Sequence, residues 1–106
     1  MPRVVLPTQE IRNEKTFHAV CQRVFGFPDF YGHNMDAWTD CLSCLDDPAA
    51  EMSSFTLAPG ELLVVVVPES AKLKDEIFDA LIDGAVAVNS RFVERGKQPL
   101  LALVLA

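Results

Sequence analysis

The chain has 106 residues, of which 50% are hydrophobic and 23% charged, and its formal net charge at pH 7 is −6. This composition is typical of a globular protein and excludes a disordered chain, and the negative charge disfavours nucleic-acid binding through a basic surface. The longest apolar runs, Leu62–Val67 and Leu100–Ala106, are much shorter than the ~20 residues of a membrane-spanning helix, so we expect no membrane span.

The first elements along the chain are a short strand and an amphipathic helix. Val4–Leu6 is a β-prone stretch between two prolines. Apolar residues then recur at helical spacing, which predicts a helix over Glu14–Phe25. Asn13 is suited to cap the start of this helix, and Gly26 is suited to end it.

A loop and a second helix follow. Residues 28–33 contain a proline and a glycine, and we expect Gly32 to supply the backbone freedom that this loop needs. Asn34 is a favourable N-cap, which predicts a second helix that runs to about Leu45. The Asp-Pro dipeptide at 47–48 then closes this helix.

The second half of the chain predicts helical structure between two strands. Leu62–Val67 is an uninterrupted apolar run, which is typical of a strand buried on both faces. Helical periodicity extends over Pro68–Arg95, where Asp83–Gly84 could divide it into two helices. Leu100–Leu105 is the last apolar strand.

These elements predict one α/β domain over residues 1–106. Apolar strands that alternate with helices favour a parallel sheet, because parallel strands require long crossover connections. We therefore expect a small three-stranded parallel sheet packed against three or four helices.

The second helix is predicted to have two unlike sides. A helical wheel at about 100° per residue gives it one apolar stripe, formed by Met35, Trp38, Leu42 and Leu45. The opposite side is polar and carries Asp36, Asp40, Ser43 and Asp47. We expect Trp38 to pack in the core with its N–H bonded at the rim. Asp36 and Asp40 lie one turn apart, which predicts a pair of neighbouring exposed carboxylates.

Acidic residues are concentrated around this helix. No Lys or Arg occurs between Arg23 and Lys72, whereas the same segment contains eight acidic residues. Two interpretations of this segment are open. It is a solvated acidic face that keeps the protein in solution, or it is a surface that attracts a cationic partner and accelerates its association.

Two aromatic residues, Phe30 and Tyr31, lie in the loop that precedes the second helix. We expect one of the two rings to fill the gap between the first two helices. The other ring would then be exposed beside the acidic residues, which suits a protein-recognition surface.

The segment from Phe30 to Leu42 reads FYGHNMDAWTDCL and resembles the signature of the barstar family, the intracellular inhibitors of barnase-type ribonucleases. The resemblance implies a three-stranded α/β fold and an acidic helix that plugs the basic active-site cleft of a nuclease. In this pattern Asp40 matches the central acidic residue and Asp36 matches the flanking one. The partner-binding residues predicted on this basis are Phe30, Gly32, His33, Asn34, Asp36, Thr39, Asp40 and Ser43.

The sequence departs from the family pattern at several positions. Family members often carry a tryptophan directly before the second aspartate, where this chain has Thr39, and its own Trp38 comes one residue earlier. Leu45 replaces a large aromatic residue, and Arg91 stands near the place of an acidic residue late in the last helix. These differences leave the target open between a barnase-type ribonuclease and a different basic nuclease or toxin domain, for which the chain would be an immunity protein.

The cysteines allow a second class of function. Cys41 and Cys44 form a C-x-x-C motif, and His18 and Cys21 could complete a zinc site with them. The motif lies toward the negative end of the helix, which disfavours a reactive thiolate, and its apolar neighbours favour buried thiols. His33 could form a pH-sensitive contact, but its place in a loop favours a solvated histidine.

The remaining expectations concern chemistry and location. The sequence has no motif for phosphate binding, nucleophilic catalysis or a carboxylate metal site, so we expect neither an enzyme nor a cofactor or metal. The odd number of cysteines and the lack of a visible secretory signal favour the cytoplasm. We expect a monomer that binds a basic protein and binds neither nucleic acid nor a membrane.

Overall fold

The computed structural model describes residues 2–106 and contains a three-stranded parallel sheet with three α-helices. The strands are β1 (Arg3–Val5), β2 (Leu63–Val67) and β3 (Leu101–Leu105), and the helices are α1 (Glu14–Phe25), α2 (Met35–Leu42) and α3 (Asp75–Glu94). Short 3-10 turns lie at Thr8–Glu10, Pro48–Ala50 and Ser70–Lys72. β2 lies between β1 and β3 and is parallel to both. The α/β fold expected from the sequence is confirmed, with each strand displaced or shortened by one residue.

The ends of α1 are set by local hydrogen bonds. The Asn13 side chain accepts a hydrogen bond from the Thr16 backbone N–H, and the Thr16 hydroxyl accepts one from the Asn13 backbone N–H. At the other end Gly26 has a φ of +69°, the left-handed conformation that ends many helices. Both predicted boundaries of α1 are therefore confirmed.

The second helix, α2, begins where the sequence predicts and ends earlier. The Asn34 side chain accepts a hydrogen bond of 2.8 Å from a backbone N–H of the first turn, which confirms it as the N-cap. The helix ends at Leu42 and does not reach Leu45. The Ser43 hydroxyl turns back and donates to the Thr39 carbonyl oxygen at 2.6 Å, a bond that bends helices at their ends.

The third helix, α3, is continuous through the position where the sequence suggests a break. Of the predicted helical segment Pro68–Arg95, only α3 is α-helical, and Asp83–Gly84 does not divide it. A Cβ atom at Gly84 would lie 2.8 Å from a ring carbon of Trp38 and 2.7 Å from the terminal methyl carbon of Met35. The glycine therefore lets α3 approach α2 closely. Neither α3 nor any other helix within residues 2–106 has the length and apolarity that crossing a membrane requires.

The two faces of the sheet differ in burial. Alternate residues of β2 are at most 2% exposed and belong to the core between the sheet and the helices, namely Leu63, Val65 and Val67. Val64 and Val66 are partly exposed on the other face, where Val5 and Val104 beside Val66 are 50% and 46% exposed. The prediction that β2 is buried on both faces is therefore wrong, because only one face of the sheet is covered.

The outer edge of β3 is bonded to a side chain of α3. The Leu100 carbonyl oxygen accepts a hydrogen bond from the Leu63 N–H of β2, so the N–H and C=O of Leu101 point away from β2. Asn89 Oδ1 accepts a hydrogen bond from the Leu101 N–H at 2.8 Å, and Asn89 Nδ2 donates to the Leu101 carbonyl oxygen at 3.0 Å. One carboxamide thus makes the two bonds that a neighbouring strand would make with this residue.

Candidate protein-binding face

Six of the predicted partner-binding residues are exposed and lie in the loop at 28–33 and along the outer side of α2. We call this set the candidate face, and it consists of Phe30, Gly32, His33, Asn34, Asp36 and Asp40. The loop supplies its aromatic part, and α2 supplies its carboxylates.

Side chains of α1 hold the loop in place. Gln22 Nε2 donates to the Pro28 carbonyl oxygen at 3.0 Å, and Gln22 Oε1 lies 3.1 Å from His33 Nε2. One glutamine thus bonds to both ends of the loop. The Tyr31 hydroxyl oxygen, near the middle of the loop, lies 2.6 Å from Nδ1 of the buried His18. The exposed residues of the loop are therefore presented from a fixed base.

The two loop aromatics have opposite environments. Tyr31 is 5% exposed and packs with its ring centroid 4.8 Å from that of Phe27, whereas Phe30 is 76% exposed. Burial raises the pKa of the Tyr31 hydroxyl, which keeps it protonated as a hydrogen-bonding group. The expectation that one ring fills the interior and the other faces solvent is confirmed.

The backbone of the loop turns at His33. His33 has a φ of +52°, a left-handed conformation that is uncommon for a residue with a side chain, whereas Gly32 does not have a positive φ. The sequence assigns the backbone freedom of this loop to Gly32, whereas the left-handed residue of the structure is its neighbour His33. Asn34 Nδ2 donates to the Gly32 carbonyl oxygen at 3.2 Å, so the N-cap of α2 also stabilises the turn. A strained residue of this kind requires such support from its neighbours.

The two carboxylates of α2 differ in their partners. Asp36 and Asp40 are both exposed, as the wheel predicts. Asp40 Oδ1 accepts a hydrogen bond of 2.7 Å from Nη1 of Arg91 on α3, in an ion pair between side chains that are 61% and 41% exposed. Asp36 has no hydrogen bond or ion pair through its side chain within residues 2–106. One end of the candidate face thus carries an uncompensated negative charge, and the other carries an ion pair.

Thr39 and Ser43 are not exposed. The sequence predicts that both bind the partner, but they are only 6% and 4% exposed. The Ser43 hydroxyl is bonded to the Thr39 carbonyl oxygen, and Arg91 Nη1 lies 3.4 Å from Ser43 Oγ. A helical wheel treats a helix in isolation, and it therefore puts Ser43 on the outer side of α2. In the folded protein α3 covers this end of α2. The expectation that these two side chains are accessible is therefore wrong.

Basic residues in the last turn of α3 and just after it form ion pairs with acidic residues in α2 and just after it. Lys97 Nζ lies 2.7 Å from Asp46 Oδ2. This ion pair adds to the one between Arg91 and Asp40. Asp40 and Asp46 are therefore paired with cations, whereas Asp36 in the first turn of α2 has no ion pair within residues 2–106.

The inner side of α2 is tightly buried. Trp38 is 1% exposed, so its predicted place in the core is confirmed. Its indole nitrogen makes no hydrogen bond within residues 2–106, although it lies beside the Cys21 thiol, which is a weak acceptor. The expectation that this N–H finds a partner at the rim is therefore wrong.

The cysteines have the environment of structural thiols. Burial raises the pKa of Cys21 to about 12 and, with the nearby Cys44 and Asp40, that of Cys41 to about 11. The pKa of the Cys44 thiol is also raised, first by burial and then by Asp47. Raised pKa values keep the thiols protonated near neutral pH and disfavour thiolate chemistry.

The described residues also do not support the zinc hypothesis. No group of three or more His, Cys, Asp or Glu side chains within residues 2–106 is arranged to hold a metal ion.

The main feature that the sequence does not predict is the ion pair between Arg91 and Asp40. The two residues are 51 positions apart, and Arg91 belongs to a different helix. The sequence shows only a reversed charge late in α3. No local pattern connects that charge with the outer side of α2, because the contact depends on how the two helices pack.

Comparison with known protein families gives a match over nearly the whole chain. A family model described as "Barstar (barnase inhibitor)" matches residues 1–104, which is nearly the whole chain. No curated protein matches this chain.

Proposed function

We propose that this chain, which belongs to the barstar family, binds a basic ribonuclease and inhibits it by covering the active site with the candidate face. The observation that carries the proposal is the pair of exposed carboxylates, Asp36 and Asp40, beside an exposed Phe30. A ribonuclease holds RNA phosphates with cationic side chains. Carboxylates placed against those cations form short, charge-assisted hydrogen bonds and compete with RNA for them.

The charge distribution supports this proposal. Residues 24–71 contain no Lys or Arg, and the uncompensated end of the candidate face lies within this segment. A surface of one sign attracts a partner of the opposite sign before contact and accelerates association. Because this attraction is screened by salt, binding should weaken as the ionic strength rises.

The contacts that we propose are limited to the exposed residues. Phe30 and His33 supply apolar and polar surface from the loop, and Asp36 and Asp40 supply charge from α2. Gly32 and Asn34 contribute backbone and amide groups at the junction between them. Thr39 and Ser43 are buried, so their proposed contribution is to shape the end of α2 and not to contact the partner.

The test uses purified barnase, the ribonuclease named in the description of the family, together with basic nucleases captured from the host. We expect the wild-type chain to inhibit RNA cleavage in a 1:1 complex. Hydrogen bonds to charged groups contribute about 1.5–3 kcal/mol each, so each of the changes Asp36→Asn and Asp40→Asn should raise Kd roughly 10- to 100-fold.

A matched control comes from α3. Asp79 and Asp83 are exposed and four residues apart, as Asp36 and Asp40 are. An Asp79→Asn/Asp83→Asn variant changes the net charge equally and should bind almost as tightly as the wild type. The proposal is contradicted if the Asp36→Asn/Asp40→Asn variant inhibits as well as the wild type, or if both double variants weaken equally.

A second candidate is an immunity protein for a basic toxin domain other than a barnase-type ribonuclease. The ion pair between Asp40 and Arg91 favours this candidate, because the positive charge of Arg91 changes which charged groups of a partner can bind beside Asp40. The two candidates are separated by the same binding measurements, since only the first requires tight binding to barnase. The three free cysteines fit action of either inhibitor in the reducing cytoplasm.

A further inference from the structure

The ion pair between Asp40 of the candidate face and Arg91 beside that face is accessible from solvent. The two side chains remain 61% and 41% exposed although Arg91 Nη1 and Asp40 Oδ1 are 2.7 Å apart. Ser43, which Arg91 also approaches, is buried beneath them. A molecule that covers the face therefore meets both charges of the pair.

Each member of the pair has hydrogen-bonding capacity left over. A guanidinium group has five N–H donors, and the contacts of Arg91 within residues 2–106 involve Nη1 alone. Its Nε and Nη2 groups remain for a further acceptor, and a carboxylate can take two parallel bonds from such a fork. Asp40 likewise bonds through Oδ1 only, which leaves Oδ2 as an acceptor.

We propose that Asp40 and Arg91 form a paired-ion subsite, which takes a cation and a carboxylate of the partner protein side by side. The inference rests on the proposed function, in that it takes the partner to be a protein. Asp36, without a basic neighbour within residues 2–106, takes a cation alone. If a partner has only cations opposite this region, Arg91 repels the cation that approaches Asp40. If the partner also has a carboxylate opposite Arg91, its two charges and those of Asp40 and Arg91 form a network of four alternating charges. Arg91 thereby selects among basic targets.

The test uses small probes and needs no nuclease. γ-Guanidinobutyrate carries a guanidinium and a carboxylate, its amide keeps only the cation, and butyrate keeps only the anion. NMR follows the Asp40 carboxyl carbon and the Arg91 Nε–H during titration with each probe. We expect the zwitterion to shift both signals at concentrations roughly two- to fivefold lower than the single-charge probes, the range for exposed ion pairs.

Two variants decide whether Arg91 is responsible. Arg91→Gln should abolish the preference for the zwitterion, and Arg95→Gln, which removes a neighbouring cation directly after α3, should preserve it. The proposal is overturned if the amide shifts Asp40 as strongly as the zwitterion does, if the zwitterion leaves both signals unchanged, or if Arg91→Gln keeps the preference. Because no nuclease is present, these outcomes are independent of whether the chain inhibits barnase.

Discussion

The inner and outer sides of α2 are held in place by different interactions. On the inner side Trp38, Cys41 and Leu42 are at most 2% exposed, and α3 approaches so closely that only a glycine fits opposite the indole ring. On the outer side Asp36 has no partner within residues 2–106, and Asp40 has one exposed ion pair. Side-chain volume is therefore constrained on the inner side of α2, whereas charge on the outer side can change without refolding the protein.

The largest expected effect is on the inner side. Trp38→Ala removes a fully buried indole and should lower the free energy of unfolding by about 3–5 kcal/mol, which urea denaturation would measure. Phe30→Ala is the matched control, because it removes an aromatic ring that is 76% exposed and should change stability by no more than about 0.5 kcal/mol. Equal effects of the two changes would remove the distinction between the sides.

A smaller loss is expected where α3 meets α2. Gly84→Ala gains about 1 kcal/mol of helix propensity but forces a methyl group against the Trp38 ring, at a cost of about 1–3 kcal/mol. We expect a net loss of stability in thermal unfolding. In a Trp38→Phe background, where the ring is smaller, the same Gly84→Ala change should be less harmful. A stabilising effect of Gly84→Ala in the wild-type chain would refute the close approach.

The buried His18 beneath the loop should make stability depend on pH. Burial lowers the pKa of His18, and the Glu14 carboxylate opposes this only in part, so the folded protein favours the neutral imidazole. Below about pH 6.5 the unfolded chain then binds more protons than the folded one, and the free energy of unfolding falls as the pH drops. Urea unfolding across this range would show the decline.

The origin of that decline can be assigned with two histidine variants. His18→Gln should flatten the decrease of stability between about pH 7.5 and 5.5, because it removes the buried titrating group. His33→Gln, which changes the exposed histidine of the same loop, should retain most of it. An unchanged pH dependence in the His18→Gln protein would show that other groups are responsible.

The smallest expected effects are on the outer side. Asp36→Asn removes an unpaired exposed carboxylate and should change the free energy of unfolding by less than about 0.5 kcal/mol. Asp40→Asn also weakens the contact with Arg91, and an exposed ion pair contributes up to about 1 kcal/mol. A loss above about 2 kcal/mol for either variant in urea denaturation would mean that the outer side stabilises the fold after all.

Features that depend on neighbouring residues could be predicted from the sequence. Asn13, Gly26 and Asn34 mark the helix ends correctly, because a cap bonds to the backbone only a few residues away. The exposure of Asp36 and Asp40 likewise follows from helical spacing alone.

Features that depend on packing between distant elements could not be predicted in the same way. Gly84 looks like a helix break in the sequence, whereas in the structure it makes room for Trp38. Ser43 looks exposed until α3 is placed beside it, and the Asp40–Arg91 pair exists only because the two helices meet. The charge of the candidate face is therefore a tertiary property, because it depends on how α2 and α3 pack together.

The carboxamide of Asn89 has a consequence for how molecules of this protein behave at high concentration. A bare strand edge is a template on which another chain can add a strand, which is one route to aggregation. Asn89 occupies the N–H and C=O of Leu101, so an incoming chain must displace an intramolecular competitor before it can pair there. The Asn89 side chain thus blocks strand pairing at the first residue of the apolar strand β3. The change Asn89→Ala would leave that edge open to association.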